Sequence, residues 1–366
     1  MFNQYILILV WIGFCALIQP SFYREEYNEL TGEYDWHVSA GFAFVVMLPV
    51  IWMAANRGFF ADTTAYILSY RDMPTEFSMI PEYIMSIKKD KGFFVLSCVL
   101  RVLFGYNHMP YLFSVALLQA LALITLFRKY SVNFIFSVFL FIASTDYISW
   151  MFNGMRQFVA VALILLATPF MLKKKWIQLV LIILLASTMH QSALLMFPIV
   201  FIAQGKAWNK KTLLFIGMML LVVLYINEFT DWMDEALQTT QYANVVSDYT
   251  EWNDDGTNPL RVAVYSIPAI ISFFNRKKIQ EYDNELINFC TNMSIISMGI
   301  YVISMYTSGI FIGRLPIYAS LYSYVLLPWE LEFLFSDELK NIAKGATIIG
   351  YIVLYFILMK FQNGLI

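Results

Sequence analysis

Charge is what this sequence has least of: Lys, Arg, Asp and Glu make up 14% of its 366 residues. Soluble domains carry about 25% charged residues, so little of this chain is equipped to fold in water. Cysteine is scarce as well. Cys15, Cys98 and Cys290 lie far apart, each inside an apolar run, which argues against a disulfide framework or a cysteine metal site and reads as buried, inert thiol. A net charge of -2 gives no reason to expect nucleic acid as a partner. Metal-ligand spacing, a phosphate-cradling glycine loop and a G-x-S-x-G elbow are all missing, and with them the usual grounds for an ATP-driven mechanism. The first apolar run has no Lys or Arg before Arg24 and no small-residue cleavage site after it, so it is not read as a secretory signal.

What is present is hydrocarbon. Hydrophobic residues make up 60% of the chain, and the mean hydropathy is +0.63. Apolar runs occur near 4–20, 38–54, 110–127, 132–150, 157–172, 176–189, 191–204, 212–227, 261–274, 287–305, 315–329 and 345–360. Most approach the ~17–25 residues a helix needs to cross about 30 Å of bilayer core. None alternates as a barrel strand would. The expectation is one all-α, polytopic transmembrane domain over 1–366, with about twelve crossings. The short pair 176–189 and 191–204 predicts a tight hairpin at Met189-His190-Gln191. Aromatics, 17% of the chain, fit interfacial belts and helix packing.

Lys and Arg in short loops set the orientation. Arg128-Lys129, Lys173-Lys174-Lys175, Lys206 with Lys210-Lys211, and Arg276-Lys277-Lys278 occupy alternate loops, which places those loops in the cytoplasm. The loops between them, which hold Arg156, His190, Arg261 and Arg314, then face outward. Parity in the first third turns on 93–105, too short for an ordinary span and carrying Arg101. Read as a partial or re-entrant segment, it makes 55–92 an outer loop; a thirteenth crossing is the alternative. Loop 55–92 contains an amphipathic piece from Asp62 to Tyr70, which predicts a short interfacial helix. The other long outer loop, 228–260, is acidic.

Arginines at outward helix ends are costly unless they snorkel to headgroups or meet an anion. Arg57, Arg156, Arg261 and Arg314 are four such residues, and guanidinium binds phosphate oxygens in bidentate fashion. Asn153-Gly154-Met155-Arg156-Gln157 reads as a helix-capping loop or as a polar site at an outer turn. His190, with Ser192 beside it, is a structural hydrogen-bonding residue, a base or a contact to a sugar hydroxyl. Asp62 and Tyr66 stand one helical turn apart, as a surface pair or as a general base with a sugar-stacking neighbour. Tyr242 and Tyr249 in the acidic loop have the makeup of a carbohydrate contact, beside acids that also read as a solvated face.

From Phe152-Asn153-Gly154-Met155-Arg156-Gln157 through Met189-His190-Gln191-Ser192-Ala193-Leu194 the chain resembles the EpsG-type family of the Wzy-like polysaccharide polymerases. Arg57…Asp62…Tyr66, Asp90-Lys91-Gly92-Phe93 and Gly313-Arg314-Leu315…Tyr318 extend the likeness in matching order. Ala61 and Lys91 depart from the family's usual Thr or Gly and Pro. The resemblance implies a bundle similar in outline to GT-C glycosyltransferases. It also implies growth of exopolysaccharide, capsule or O-antigen chains on undecaprenyl pyrophosphate, at the outer face of a bacterial cytoplasmic membrane. On that basis Arg156 and Arg314, helped by Arg57 and Arg261, would hold the leaving pyrophosphate, with no metal or other cofactor. Asp62, or else His190, would be the base. Tyr66, Tyr242, Tyr249 and Tyr318, with Asn153, Gln157 and Ser192, would contact substrate. A separate chain-length regulator is the implied protein partner. An O-antigen ligase with the same arginine logic, or a flippase of the lipid-linked oligosaccharide, is the competing expectation.

Overall fold

The computed structural model describes residues 3–28, 33–58, 62–237, 256–362 and 364–365. Two compact units divide the chain: Met1–Leu195 together with Asp337–Ile366, and the intervening Met196–Ser336.

The first unit begins with α1 (Gln4–Ile18), whose first turn is capped by the Asn3 side chain accepting from the Tyr5 N–H. A hairpin of β1 (Tyr23–Asn28) and β2 (Glu33–Val38) follows, with Tyr23 opposite Val38 and Tyr27 opposite Tyr34. Then come α2 (Ala40–Ala55), α3 (Thr63–Arg71), α4 (Ile80–Ser86), α5 (Lys91–Phe104) and α6 (His108–Tyr130). Arg128, in the last turn of α6, donates to the Val38 carbonyl and pairs with Glu26, which ties the hairpin to the end of that helix. Next, α7 (Phe134–Ala143) breaks at Thr145, whose backbone is left-handed at φ 63°. A π-helical turn, Tyr147–Asn153, continues at 76° to α7 and delivers the chain to α8 (Met155–Leu166). After α9 (Thr168–Leu172) and α10 (Trp176–Met189), His190 is extended and Gln191–Leu195 forms a 3-10 turn.

The second unit holds α11 (Met196–Ala203), α12 (Lys210–Leu224), α13 (Ile226–Leu237), α14 (Pro259–Phe274), α15 (Arg276–Tyr282), α16 (Glu285–Ser304), α17 (Ile317–Ser320) and α18 (Ser323–Phe333). Its axis is α16, against which α11, α12, α14, α17 and α18 all pack. Finally α19 (Asp337–Ile357) returns to the first unit and packs on α7. There the Tyr355 hydroxyl donates to the Tyr5 carbonyl at 2.6 Å and meets the Tyr147 hydroxyl at 3.0 Å.

Every apolar run in the sequence becomes helix, but fewer are continuous than the sequence suggests. Among the described residues, four helices are long and apolar enough to cross a membrane by themselves: Gln4–Phe22, His108–Tyr130, Glu285–Ser304 and Asp337–Phe361. Two bent pairs, at 76° and 98°, raise that to six, and five further apolar helices are shorter. The run 315–329 is divided between α17 and α18, and 157–172 is broken at Ala167 before Pro169. Backbone breaks shorten the spans. Loop 55–92 contains α3 and α4, and the described start of the acidic loop is α13, which leaves α12 at 98°.

Candidate functional site

Four helices of the first unit enclose the candidate site. Asp62 sits at the N-cap position of α3, and its carbonyl accepts from the Tyr66 N–H at 3.1 Å, so carboxylate and phenol share one turn. Below them α3, α5, α6 and α8 interlock through Tyr70, Phe93, Cys98, Tyr111, Met155 and Val159, all buried. The Tyr70 and Tyr111 rings stack 4.3 Å apart. On this floor lies a cavity of about 330 Å³ walled by Asp62, Ala65, Tyr66, Ser69, Met73, Phe93, Phe94, Tyr111 and Arg156. Its walls are mostly apolar and aromatic, with the two charges set apart on different elements.

The segment from the π-helical turn to α8 places the cation. Gly154 makes a tight junction: a Cβ there would stand 3.0 Å from the Trp150 ring and 3.4 Å from the Ser149 carbonyl. Asn153, just before it, accepts the Asp62 backbone N–H at 3.4 Å and so links the two sides of the cavity. Arg156 follows in the first turn of α8, a turn with no acidic residue. A guanidinium beside the positive end of a helix makes a strongly anion-attracting corner. The anion it meets here is Asp90, at 2.8 Å from Nη1.

Asp90 was not singled out from the sequence as a site residue. Its side chain is only 3% exposed, against 30% for Arg156. Burial pushes its carboxyl above the usual range, while Arg156, Lys89 and the Gln191 backbone N–H pull it back. Its Oδ1 is buried and makes no hydrogen bond of normal geometry. The signal for it lay in Asp90-Lys91-Gly92-Phe93, where Gly92 permits close approach: a Cβ would fall 2.1 Å from Thr188 Oγ1 on α10.

His190 and Ser192 stand behind the arginine and are not among the cavity walls. His190 Nδ1 lies 2.7 Å from Ser192 Oγ, and the Gln157 amide donates to the same hydroxyl at 3.4 Å. Arg57 is buried. Its Nε donates to Thr63 Oγ1 at 2.9 Å, and Nη1 to the Ala54 and Met151 carbonyls at 2.8 and 3.4 Å. Burial lowers it to about 10, so it stays charged at neutral pH. That arrangement ties the end of α2 to α3 and to the π-helical turn.

Arg261, Arg314 and Tyr318 belong to the second unit. Thr257 N–H donates to the Ser304 carbonyl at 2.9 Å, and Gly313 packs so close that a Cβ would meet Thr257 Oγ1 at 2.4 Å. Arg261 lies in the first turn of α14, and Arg314 ends the 3-10 turn Ile312–Arg314. The Arg261 guanidinium lies 5.9 Å from the Tyr265 ring. Tyr318 is wholly buried. Tyr242 and Tyr249 lie outside the described residues.

Chemically, the first unit offers an exposed carboxylate, a half-exposed cation at a helix N-terminus and aromatic surface, arranged around a space large enough for an organic substrate. Residues 41–365 match the family model described as the EpsG family. No curated protein and no solved structure matches the chain.

Proposed function

The chain belongs to the EpsG family, membrane proteins of polysaccharide-polymerase type, and on that premise we propose that it polymerises lipid-linked oligosaccharide repeat units. The growing chain on undecaprenyl pyrophosphate is the donor, and a repeat unit on the same carrier is the acceptor. The reaction takes place at the outer face of a bacterial cytoplasmic membrane. One observation carries the reading: Asp62, Tyr66 and Arg156, separated by up to 94 residues in sequence, wall a single cavity together with Phe93, Phe94 and Tyr111.

In this reading the acceptor hydroxyl attacks the anomeric carbon of the donor sugar. The bond from that carbon to the phosphate oxygen breaks, and the hydroxyl proton passes to the Asp62 carboxylate. Undecaprenyl pyrophosphate departs with the bonding electrons. Arg156, reinforced by the N-terminus of α8, stabilises the charge that develops on the leaving oxygen, where a fixed cation helps the transition state more than the ground state. A preorganised cation supplies this without a metal. Tyr66 and the neighbouring rings give a sugar a stacking surface. Asn153 fixes the Asp62 backbone, and Gln157 with Ser192 and His190 supports the turn behind Arg156. Arg57 is a staple for this turn.

The test is product analysis in cells carrying a null allele complemented with variants. Arg156→Ala and Asp62→Asn are expected to leave single repeat units on the outer lipid, with a loss of chain extension of about 100-fold or more. Attachment of no repeat at all would point to a ligase instead. Full-length polymer from Arg156→Ala would overturn the site.

A further inference from the structure

We propose that Asp90 is the positioning residue of the site: it aims the Arg156 guanidinium at the cavity and compensates its charge until a phosphate arrives. This deepens the reading of Arg156 as the phosphate-binding cation and rests on it.

Three observations converge on Asp90. The first is the ion pair. Asp90 Oδ2 holds Arg156 Nη1 at 2.8 Å, with the carboxylate 3% and the guanidinium 30% exposed. The buried partner is thus the fixed one, and the exposed partner is the one that reaches outward. A guanidinium anchored by a buried carboxylate is held in one orientation, and its planar fork suits phosphate.

Backbone strain is the second. Asp90 adopts the left-handed conformation at φ 55° while serving as N-cap of α5, and its side chain makes no cap hydrogen bond. A non-glycine residue in this region is disfavoured, and the usual compensation for Asp is a local hydrogen bond. Here the side chain forgoes the cap and turns to Arg156. Lys91 and Gly92 follow at the start of α5, where Gly92 lets the helix close on Thr188 and fixes the direction from which the carboxylate projects.

The third is the unbalanced charge of α8. Arg156 lies in a first turn that has no acidic residue, so helix dipole and guanidinium repel. Asp90 is the carboxylate that the fold brings to that turn. Removing it takes away the buried anchor 2.8 Å from the guanidinium, and a displaced cation loses the transition-state contact before it loses binding.

The experiment uses the full-length protein in proteoliposomes with lipid-linked repeat units, and compares Asp90→Asn, Asp90→Glu, Arg156→Lys, Arg156→Ala and the double variant Asp90→Asn/Arg156→Lys. Asp90→Asn is expected to lower kcat about tenfold or more, with KM within about twofold, at unchanged folded yield. Asp90→Glu is expected to restore much of the loss. Because Asp90 acts through Arg156, the double variant is expected to be no slower than Arg156→Lys alone. Losses that multiply in the double variant, or an Asp90→Asn enzyme with normal kcat while Arg156→Lys is impaired, would overturn the positioning role and leave the phosphate reading standing. Normal turnover in Arg156→Lys and in Arg156→Ala alike would overturn the reading itself. A fall in activity that only tracks folded yield would make Asp90 a stability residue and also refute the proposal.

Discussion

Arg57 and Arg156 look alike in the sequence, each an arginine at the end of an apolar helix, yet their surroundings differ in kind. Arg57 spends its donors on Thr63 and on the carbonyls of Ala54 and Met151, and is buried. Arg156 has one nitrogen tied to a carboxylate and remains 30% exposed. Arg57→Lys cannot reach all of these acceptors, so it is expected to destabilise the folded protein by about 1–3 kcal/mol, read as a lower melting temperature in detergent. KM for the lipid-linked donor should be unchanged in the folded fraction; a raised KM with normal stability would make Arg57 a phosphate contact after all. Which of several arginines faces a substrate is decided by donors already spent, and no local motif records that. Spacing and motif had marked Asp62, Tyr66 and Arg156 as candidates, and these three line one cavity. Asp90 was not so marked, because its partner lies 66 residues away and its carboxylate is aimed by a left-handed backbone.

Helices were read well where hydrocarbon is continuous and poorly where the backbone breaks. The run 132–150 hid a 76° bend at Ser144-Thr145-Asp146, polar punctuation that was there to be seen. Hairpin 23–38 was passed over between two spans. Its period-two pattern of Tyr23, Glu25 and Tyr27 facing Val38, Trp36 and Tyr34 is the signal that would have found it. By contrast, α5 matches the expected short segment. Its 14 residues extend about 21 Å, below the ~30 Å of a bilayer core. Arg101 is accommodated within it by the Tyr106 ring at 3.9 Å and the Arg71 carbonyl at 3.3 Å. Were α5 to stop short of crossing, Asp62 would lie on the outer side. An engineered cysteine at Asp62, in a chain whose native Cys15, Cys98 and Cys290 are replaced, should then react with an impermeant thiol reagent on intact spheroplasts. Labelling only after lysis would make α5 a crossing and remove Asp62 from the outward site.

At the scale of the whole molecule, the first unit is assembled from both ends of the chain, with the second unit inserted between them. The closure is made by α19. Tyr355 bridges the Tyr147 hydroxyl and the Tyr5 carbonyl, and Asn3 donates to the Leu365 carbonyl at 2.7 Å. Tyr355→Phe strands a buried hydroxyl and a carbonyl, so unfolding free energy should fall by about 1–3 kcal/mol, with polymer length unchanged in the folded protein. An unaltered melting temperature would show that apolar packing alone holds α19.

That insertion has a consequence for biogenesis. Helices α1 to α10 emerge from the ribosome long before α19, and the α7 surface that α19 will cover must wait in the membrane while the entire second unit is synthesised. Maturation of the first unit is therefore gated by the synthesis of α19. A nascent chain released early would carry an intact-looking cavity on an open scaffold, the sort of exposed surface by which membrane proteases recognise an unfinished protein.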